Sequence, residues 1–186
     1  MVYDGILTGK TIRLRSVEES DAEVTFKMRS DPEKNQYIHA ATGTVDDQRN
    51  FIKKQRQLPH DYLFVIEDLE GNPIGMKGVY NYDPENNTYE SGRLIGYGTQ
   101  FQNIEAMMLC FDFAFDVLGA TGVTMSALEN NSGMLSIQQR FGVEFTHRDR
   151  YEDMPADSLY SILTKEAYAV SRPKVSALIE RFAGRV

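Results

Sequence analysis

The sequence predicts a mixed α/β (α+β) fold, a mostly antiparallel sheet of about seven strands flanked by helices. Three observations carry this. Short alternating or apolar runs come in succession between residues 62 and 97, joined by polar turns, which is how antiparallel strands connect. One longer stretch places Ile104, Met107, Met108, Phe111, Phe115 and Leu118 at helical spacing, the mark of an amphipathic helix. A strand-like run lies on each side of that helix, so the middle of the chain reads as a β–α–β unit.

The elements follow in order. Residues 11–15 alternate and form a strand. Ser20 with Glu23 has the form of a capping box and starts a helix. That helix ends before Asp31 and Pro32, because a residue preceding proline avoids the helical region. Thr44 starts a second helix that runs to about Leu58, with Asp46 and Asp47 in the first turn where the helix dipole favours acids. Strands at 62–67 and 73–80 are joined by the polar segment 68–72. The segment 83–87 makes the next turn, and 90–97 is a strand. The main helix closes at Gly119 and Gly122. Residues 123–128 alternate as a strand, and 132–141 form a short helix stopped by Gly142. Strands follow at 143–150 and 158–165. A last helix starts at 171–174 with Pro173 in its first turn. Its apolar stripe of Val175, Leu178, Ile179 and Phe182 would serve a homodimer contact as well as a core.

Bulk properties narrow the classes of function. A length of 186 residues suits one domain, expected to span the whole chain. The formal charge of −7 argues against nucleic acid as a partner. The densest basic patch, Lys53, Lys54 and Arg56, reads as a solvated helix face. No run reaches the ~18 apolar residues of a membrane span. The N-terminal stretch lacks the pattern of a secretory signal, and Cys110 has no second cysteine to pair with. A cytoplasmic location is therefore expected. Cys110 itself lies among apolar residues and reads as inert core. His39, His60 and His147 lack metal-ligand spacing, so no metal is expected.

Sheets of this kind place ligands beyond the carboxyl ends of strands, where a helix N-terminus faces the site. Here that position is the loop 96–103.

A set of short motifs sharpens the reading. Arg29, Asp31 and Pro32 form one turn, and Asn72, Pro73, Ile74 and Gly75 open a strand. Glu90 with Gly92, Glu105 with Ala106, Leu118 with Gly119, Asn131, and Arg140 with Phe141 and Gly142 follow in sequence. In order and spacing these resemble the GNAT superfamily of acyl-CoA N-acyltransferases, in the branch of the ribosomal-protein-alanine and amino-sugar acetyltransferases. The resemblance extends from Leu14 to about Tyr168.

The resemblance implies acetyl-CoA as cosubstrate. It implies transfer of the acetyl group to a primary amine, on a small molecule or a protein N-terminus, by direct attack. Glu90 falls at a position where several family members hold a glutamate, and it becomes the candidate to take the amine proton. Its plainer reading is a solvated strand residue. Backbone N–H groups near Leu94 and Ile95 are the implied oxyanion donors. Gly96, Gly98, Gln102, Asn103 and Ile104 are the implied pyrophosphate-binding residues at the start of the main helix. Asn131 is implied for the pantetheine arm, and reads equally as a helix cap.

The sequence departs from the family in two places. Residues 100–103 stand where glycines usually let the backbone approach phosphate. Gln138 stands where the family often has a tyrosine general acid, and Met134 where it has a serine. Glutamine supplies no titrating proton. A second reading is thus a GNAT-like binding or regulatory module without catalysis. Acceptor choice is expected to lie in loops 38–44, 80–89 and 147–157, whose acids Asp83, Glu85, Glu152 and Asp153 would attract a cationic amine.

Overall fold

The structure, a computed structural model, describes residues 2–34, 36–37, 42–152 and 154–183. His39, the 38–41 part of the first acceptor loop and Asp153 lie outside the described residues.

The strands are β1 (Ile6–Thr8), β2 (Ile12–Ser16), β3 (Tyr62–Asp68), β4 (Pro73–Asp83), β5 (Thr88–Gly96), β6 (Gly122–Leu128), β7 (Glu144–Asp149) and β8 (Ser158–Thr164). They form one eight-stranded sheet in the order β1-β2-β3-β4-β5-β6-β8-β7. Neighbours are antiparallel except β5 and β6, which run parallel. A parallel pair needs a crossover, and the helix between those two strands provides it.

The helices are α1 (Ala22–Ser30), α2 (Val45–Gln55), α3 (Gln100–Asp112), α4 (Ser132–Arg140) and α5 (Lys165–Ala183). Side-chain alternation divides the core between the two faces of the sheet. Phe64 and Ile66 of β3 join Phe111 of α3 and Ile179 of α5 in one cluster. Leu63 and Val65, one residue out of phase, join Ile52 of α2 and Met28 of α1 in the other. The first, larger cluster forms the α3 side of the sheet. The second lies beneath α1 and α2.

Four features were not legible in the sequence pattern. β1 has three residues, too few to show a period. The first capping box uses Glu18 and Asp21 in place of Ser20 and Glu23, through a 3-10 turn at Glu19–Asp21 that precedes α1. Asp21 is drawn there because its carboxylate also receives both terminal nitrogens of Arg15, at 2.7 and 2.8 Å. α5 begins at Lys165, directly after β8, with Thr164 Oγ1 accepting from Ala167 N–H at 3.2 Å. Pro173 therefore lies inside the helix, where it removes one backbone hydrogen bond that packing of Val175 and Ile179 must offset. Lastly, α3 runs into a π-turn at Phe113–Val117. Leu118 N–H donates to Phe113 O at 3.0 Å across this wider turn. The turn brings Phe113, Ala114 and Phe115 all into the core. Phe113 then meets Tyr3, Tyr62 and Phe64 edge-on at 4.9, 5.0 and 5.3 Å.

The α5 stripe covers its own core. Val175 and Ile179 are buried, and Phe182 stacks on Phe101 of α3 at 3.7 Å. Cys110 is fully buried, and burial pushes its thiol up to about 11. Among the described residues, no helix is long and apolar enough to cross a membrane.

Candidate active site

The site begins where β5 and β6 part. Their ladder pairs Thr88 with Gly122, Tyr89 with Val123 and Glu90 with Thr124, and goes no further. β5 continues to Gly96 and β6 to Leu128. On its other edge β5 slips register against β4 between Gly92 and Ile95, a bulge that strengthens the local twist. Arg93 sits at the slip with a φ of 56°, in the left-handed region that non-glycine residues rarely adopt. A cleft of about 540 Å³ opens beyond the last pair, with Glu90, Arg93 and Ile95 of β5 facing Ser126, Ala127 and Leu128 of β6.

Glu90 is the one carboxylate among the described residues lining this cleft. Tyr80 Oη donates to its Oε1 at 2.9 Å, and Asn81 Nδ2 donates to its Oε2 at 2.8 Å. Burial, and then the Glu90 charge, push the Tyr80 hydroxyl well above the usual tyrosine range. Tyr80 therefore remains a protonated donor. The two donors fix the carboxylate and leave lone pairs on each oxygen for a further partner.

Arg93 and Arg29 form the wall toward α2. Arg93 donates to both oxygens of Asp61, at 2.6 and 3.1 Å, and its guanidinium lies 3.9 Å from the Tyr80 ring centroid. Arg29, from the last turn of α1, lies 5.8 Å from the Phe51 ring centroid, and Arg93 lies 6.0 Å from the same ring. Burial, then the neighbouring Arg93, hold the Arg29 guanidinium below its ordinary range. The opposite wall carries Tyr160, whose hydroxyl is 2.7 Å from that of Tyr151 and whose ring stacks on His147 at 4.4 Å.

The N-terminus of α3 lies beyond the end of β5. Thr99 caps it: Thr99 Oγ1 accepts from Gln102 N–H at 3.2 Å, and Gln102 Oε1 accepts from Thr99 N–H at 2.8 Å. This satisfies two of the helix's four orphan N–H groups, those of Thr99 and Gln102, and Asn103 N–H bonds back to Thr99 O. The N–H groups of Gln100 and Phe101 have no protein partner among the described residues. The departure from the glycine pattern has a physical account. Phe101 turns its ring onto Phe182, and the Thr99 box orders the turn that glycines would leave loose. Thr99→Ala should lower stability by about 1 kcal/mol, a fall in melting temperature of about 2–4 °C for a chain this long. An unchanged melting temperature would show that the box contributes nothing.

The remaining sequence candidates fall as follows. Leu94 and Ile95 lie at the bulge, and Ile95 is buried against the cleft. A methyl group on Gly96 would collide with the Asn103 amide, and one on Gly98 would lie 2.6 Å from Gln102 Oε1. Both glycines thus make room for the first turn of α3. The Ile104 side chain is buried in the core, away from solvent. Asn131 caps α4, its Oδ1 accepting from Met134 N–H at 3.1 Å. Gln138 is buried, and Ser161 Oγ donates to its Oε1 at 3.4 Å. Asp83 is consumed by its own turn, accepting from Glu85 N–H and Asn86 Nδ2, while Glu85 and Glu152 are exposed outside the cleft lining. No group of three His, Cys, Asp or Glu is placed to hold a metal among the described residues.

Sequence reasoning missed Arg93, Tyr80, Asn81 and Thr99. Two signals were present. Leu94 and Ile95 are adjacent apolar residues that break strand alternation, the trace of the bulge. Thr99 and Gln102 have capping-box spacing.

A mostly antiparallel sheet whose one parallel pair parts beside a helix N-terminus is the architecture that frames the cleft. More particularly, residues 11–144 match the family described as acetyltransferase (GNAT) domain, and the chain belongs to that family. Curated protein sequences give no match. Solved structures share the fold. Apo FdhC, a nucleotide-linked sugar GNAT, aligns at a TM-score of 0.80 and 24% identity, covering 92% of this chain and 97% of its own. The spermidine N-acetyltransferase of Vibrio cholerae, in complex with CoA and spermine, aligns at 0.78 and 14% identity, covering 87% and 99%. A GCN5-related N-acetyltransferase from Brucella melitensis aligns at 0.77 and 17% identity, covering 97% and 86%.

Proposed function

We propose that this protein, acting as a single domain, transfers the acetyl group of acetyl-CoA to a primary amine by direct attack. The observation that carries this reading is the parting of β5 and β6 beyond Glu90 and Thr124, with a doubly anchored carboxylate at the apex. The opening suits a pantetheine arm entering between two strands. The unpartnered N–H groups of Gln100 and Phe101 suit a pyrophosphate, since orphan donors and the positive dipole end attract an anion. The amide side of Asn131 has donor capacity left over for the arm.

Catalysis then needs three tasks. Glu90 takes a proton from the bound ammonium, and the neutral amine this leaves is the nucleophile. The amine nitrogen forms a bond to the thioester carbon, and backbone N–H at the β5 bulge, near Leu94 and Ile95, stabilises the oxyanion. The carbon–sulfur bond breaks as the new amide nitrogen gives its second proton to water, and the thiolate takes a proton from water, because Gln138 has none to give. The acceptor is a small molecule or a peptide N-terminus. Of the similar structures, one is a nucleotide-linked sugar GNAT and another a spermidine N-acetyltransferase, which leaves the acceptor to the cleft's own chemistry. A single cysteine, with no second one to pair with, supports a cytoplasmic enzyme.

Titration calorimetry with acetyl-CoA and with CoA tests the cofactor half. Binding is expected within the usual range of about 1 μM to 1 mM, and no heat at the upper end would sink the reading. The buried, non-titrating Gln138 favours a second reading, a module that binds acetyl-CoA without turnover. Release of free thiol in the presence of any amine would remove it.

A further inference from the structure

The large polar side chains on both walls of the cleft bond to protein partners. Tyr80 donates to Glu90, Arg93 donates to both oxygens of Asp61, and the Tyr151 and Tyr160 hydroxyls pair at 2.7 Å. What the cleft leaves open is the Glu90 carboxylate and one face of the Tyr160 ring. We infer that the acceptor is a primary amine with one ammonium and one aromatic ring, the ammonium at Glu90 and the ring laid on Tyr160. This rests on the amine-acetylation reading and specifies its substrate.

Three observations support it. First, the sheet uncovers Tyr160 on one side. Its ladder partners are His147 on β7 and Ser126 on β6, and directly opposite residues share a face of the sheet. His147 covers the ring on the β7 side, stacked at 4.4 Å with 7° between the planes. Ser126, on the β6 side, is exposed, lines the cleft and is too short to cover a ring. A flat aromatic ring fits over Ser126, stacked on the open face of Tyr160. Second, the open ring face and the carboxylate lie within reach of one small molecule. Glu90 pairs with Thr124 at the end of the β5–β6 ladder, and Ser126 is two residues further along the same face of β6. β8 is two strand spacings, about 10 Å, from β5. Burial, then Tyr151, Asp149 and Glu90, push the Tyr160 hydroxyl above the usual tyrosine range, so Glu90 and Tyr160 share one electrostatic neighbourhood. A ring joined to its nitrogen by a short alkyl link spans the space between them. Third, the floor of the cleft is apolar. Met76, Ile95 and Leu128 are buried and line it, and a thioether packs well against an aromatic edge. A body rich in hydroxyls or in further ammoniums would lose water there, while Tyr80, Arg93, Tyr151 and Tyr160 already hold protein partners.

The test is steady-state acetylation at saturating acetyl-CoA with six amines. Phenethylamine carries the ring on a small molecule, and phenylalanyl-glycinamide carries it at a peptide N-terminus. Propylamine has the ammonium without the ring, glucosamine adds hydroxyls, glucosamine 6-phosphate adds an anion, and spermidine adds further ammoniums. An aromatic amine is expected to exceed the other four in kcat/KM by about tenfold or more, as burial and stacking of one ring give. Which aromatic amine leads separates the small molecule from the peptide. Tyr160→Ala should bring the aromatic amine down to the level of propylamine, mainly by raising its KM about tenfold. Tyr160→Phe keeps the ring and should keep the preference. If Tyr160→Ala melts below the assay temperature, Tyr160→Leu, which fills the place without a flat ring, gives the same reading. Any of the four other amines matching the better aromatic amine would overturn the inference. So would acetyl-CoA binding with neither aromatic amine acetylated, or a preference that survives the loss of the Tyr160 ring. Failure of acetyl-CoA to bind would instead overturn the transferase reading, and this inference with it.

Discussion

Glu90→Gln is expected to lower kcat/KM for amine acetylation by about two to four orders of magnitude, the usual contribution of a positioned general base. Glutamine keeps the shape of the side chain and can still accept from Tyr80 Oη. It loses the charge, the basic oxygen and the acceptor that Asn81 Nδ2 now uses. Acetyl-CoA affinity should stay within about twofold, because the proposed phosphate donors at Gln100 and Phe101 belong to another element. Tyr80→Phe should cost less, about tenfold, since it removes one anchor of the carboxylate and leaves the base itself. Its loss should appear mainly in kcat. A fully active Glu90→Gln enzyme would make Glu90 a wall residue and pass proton removal to water.

Glu105→Ala should be the most destabilising polar substitution in the chain, costing about 3–5 kcal/mol. Glu105 lies on α3 and is fully buried. Its Oε1 accepts from Lys10 N–H at 2.5 Å, and its Oε2 accepts from Thr11 N–H at 3.0 Å and Thr11 Oγ1 at 2.5 Å. Truncation strands three donors in the turn between β1 and β2 and cuts the tie between that turn and the main helix. A methyl group on Gly9 would lie 2.5 Å from Glu105 Oε1, so the turn has closed tightly around the carboxylate. The melting temperature should fall by about 6–20 °C. Glu105→Gln, which retains one acceptor oxygen, should fall between the two. A shift of less than about 2 °C for Glu105→Ala would contradict the latch.

Much of the architecture was legible because it rests on local rules. The α3 stripe announced a helix that packs on the sheet, and Thr44 followed by the acids Asp46 and Asp47 announced the start of α2, where the structure adds a capping box between Thr44 and Asp47. Features set by distant partners were not legible. Asp21 takes the first cap because Arg15 holds it, and α5 absorbs Pro173 because Val175 and Ile179 are buried beneath it. The site divides in the same way. Glu90 could be picked out by position, yet what fixes it, Tyr80 and Asn81, depends on the register of β4 against β5. The arginine wall depends on the bulge at Arg93 and on the approach of α1 to α2, neither of which has a period to read.

The central claim is that the opening between β5 and β6 holds acetyl-CoA while Glu90 serves an amine beside it. Free-thiol release, followed alongside mass spectrometry of the amine, tests it most directly. Thiol and acetylated amine should form in equal amounts in the wild type, and both should fall together by about two to four orders of magnitude in Glu90→Gln. Acetyl-CoA that binds but yields neither product with any amine class would contradict it.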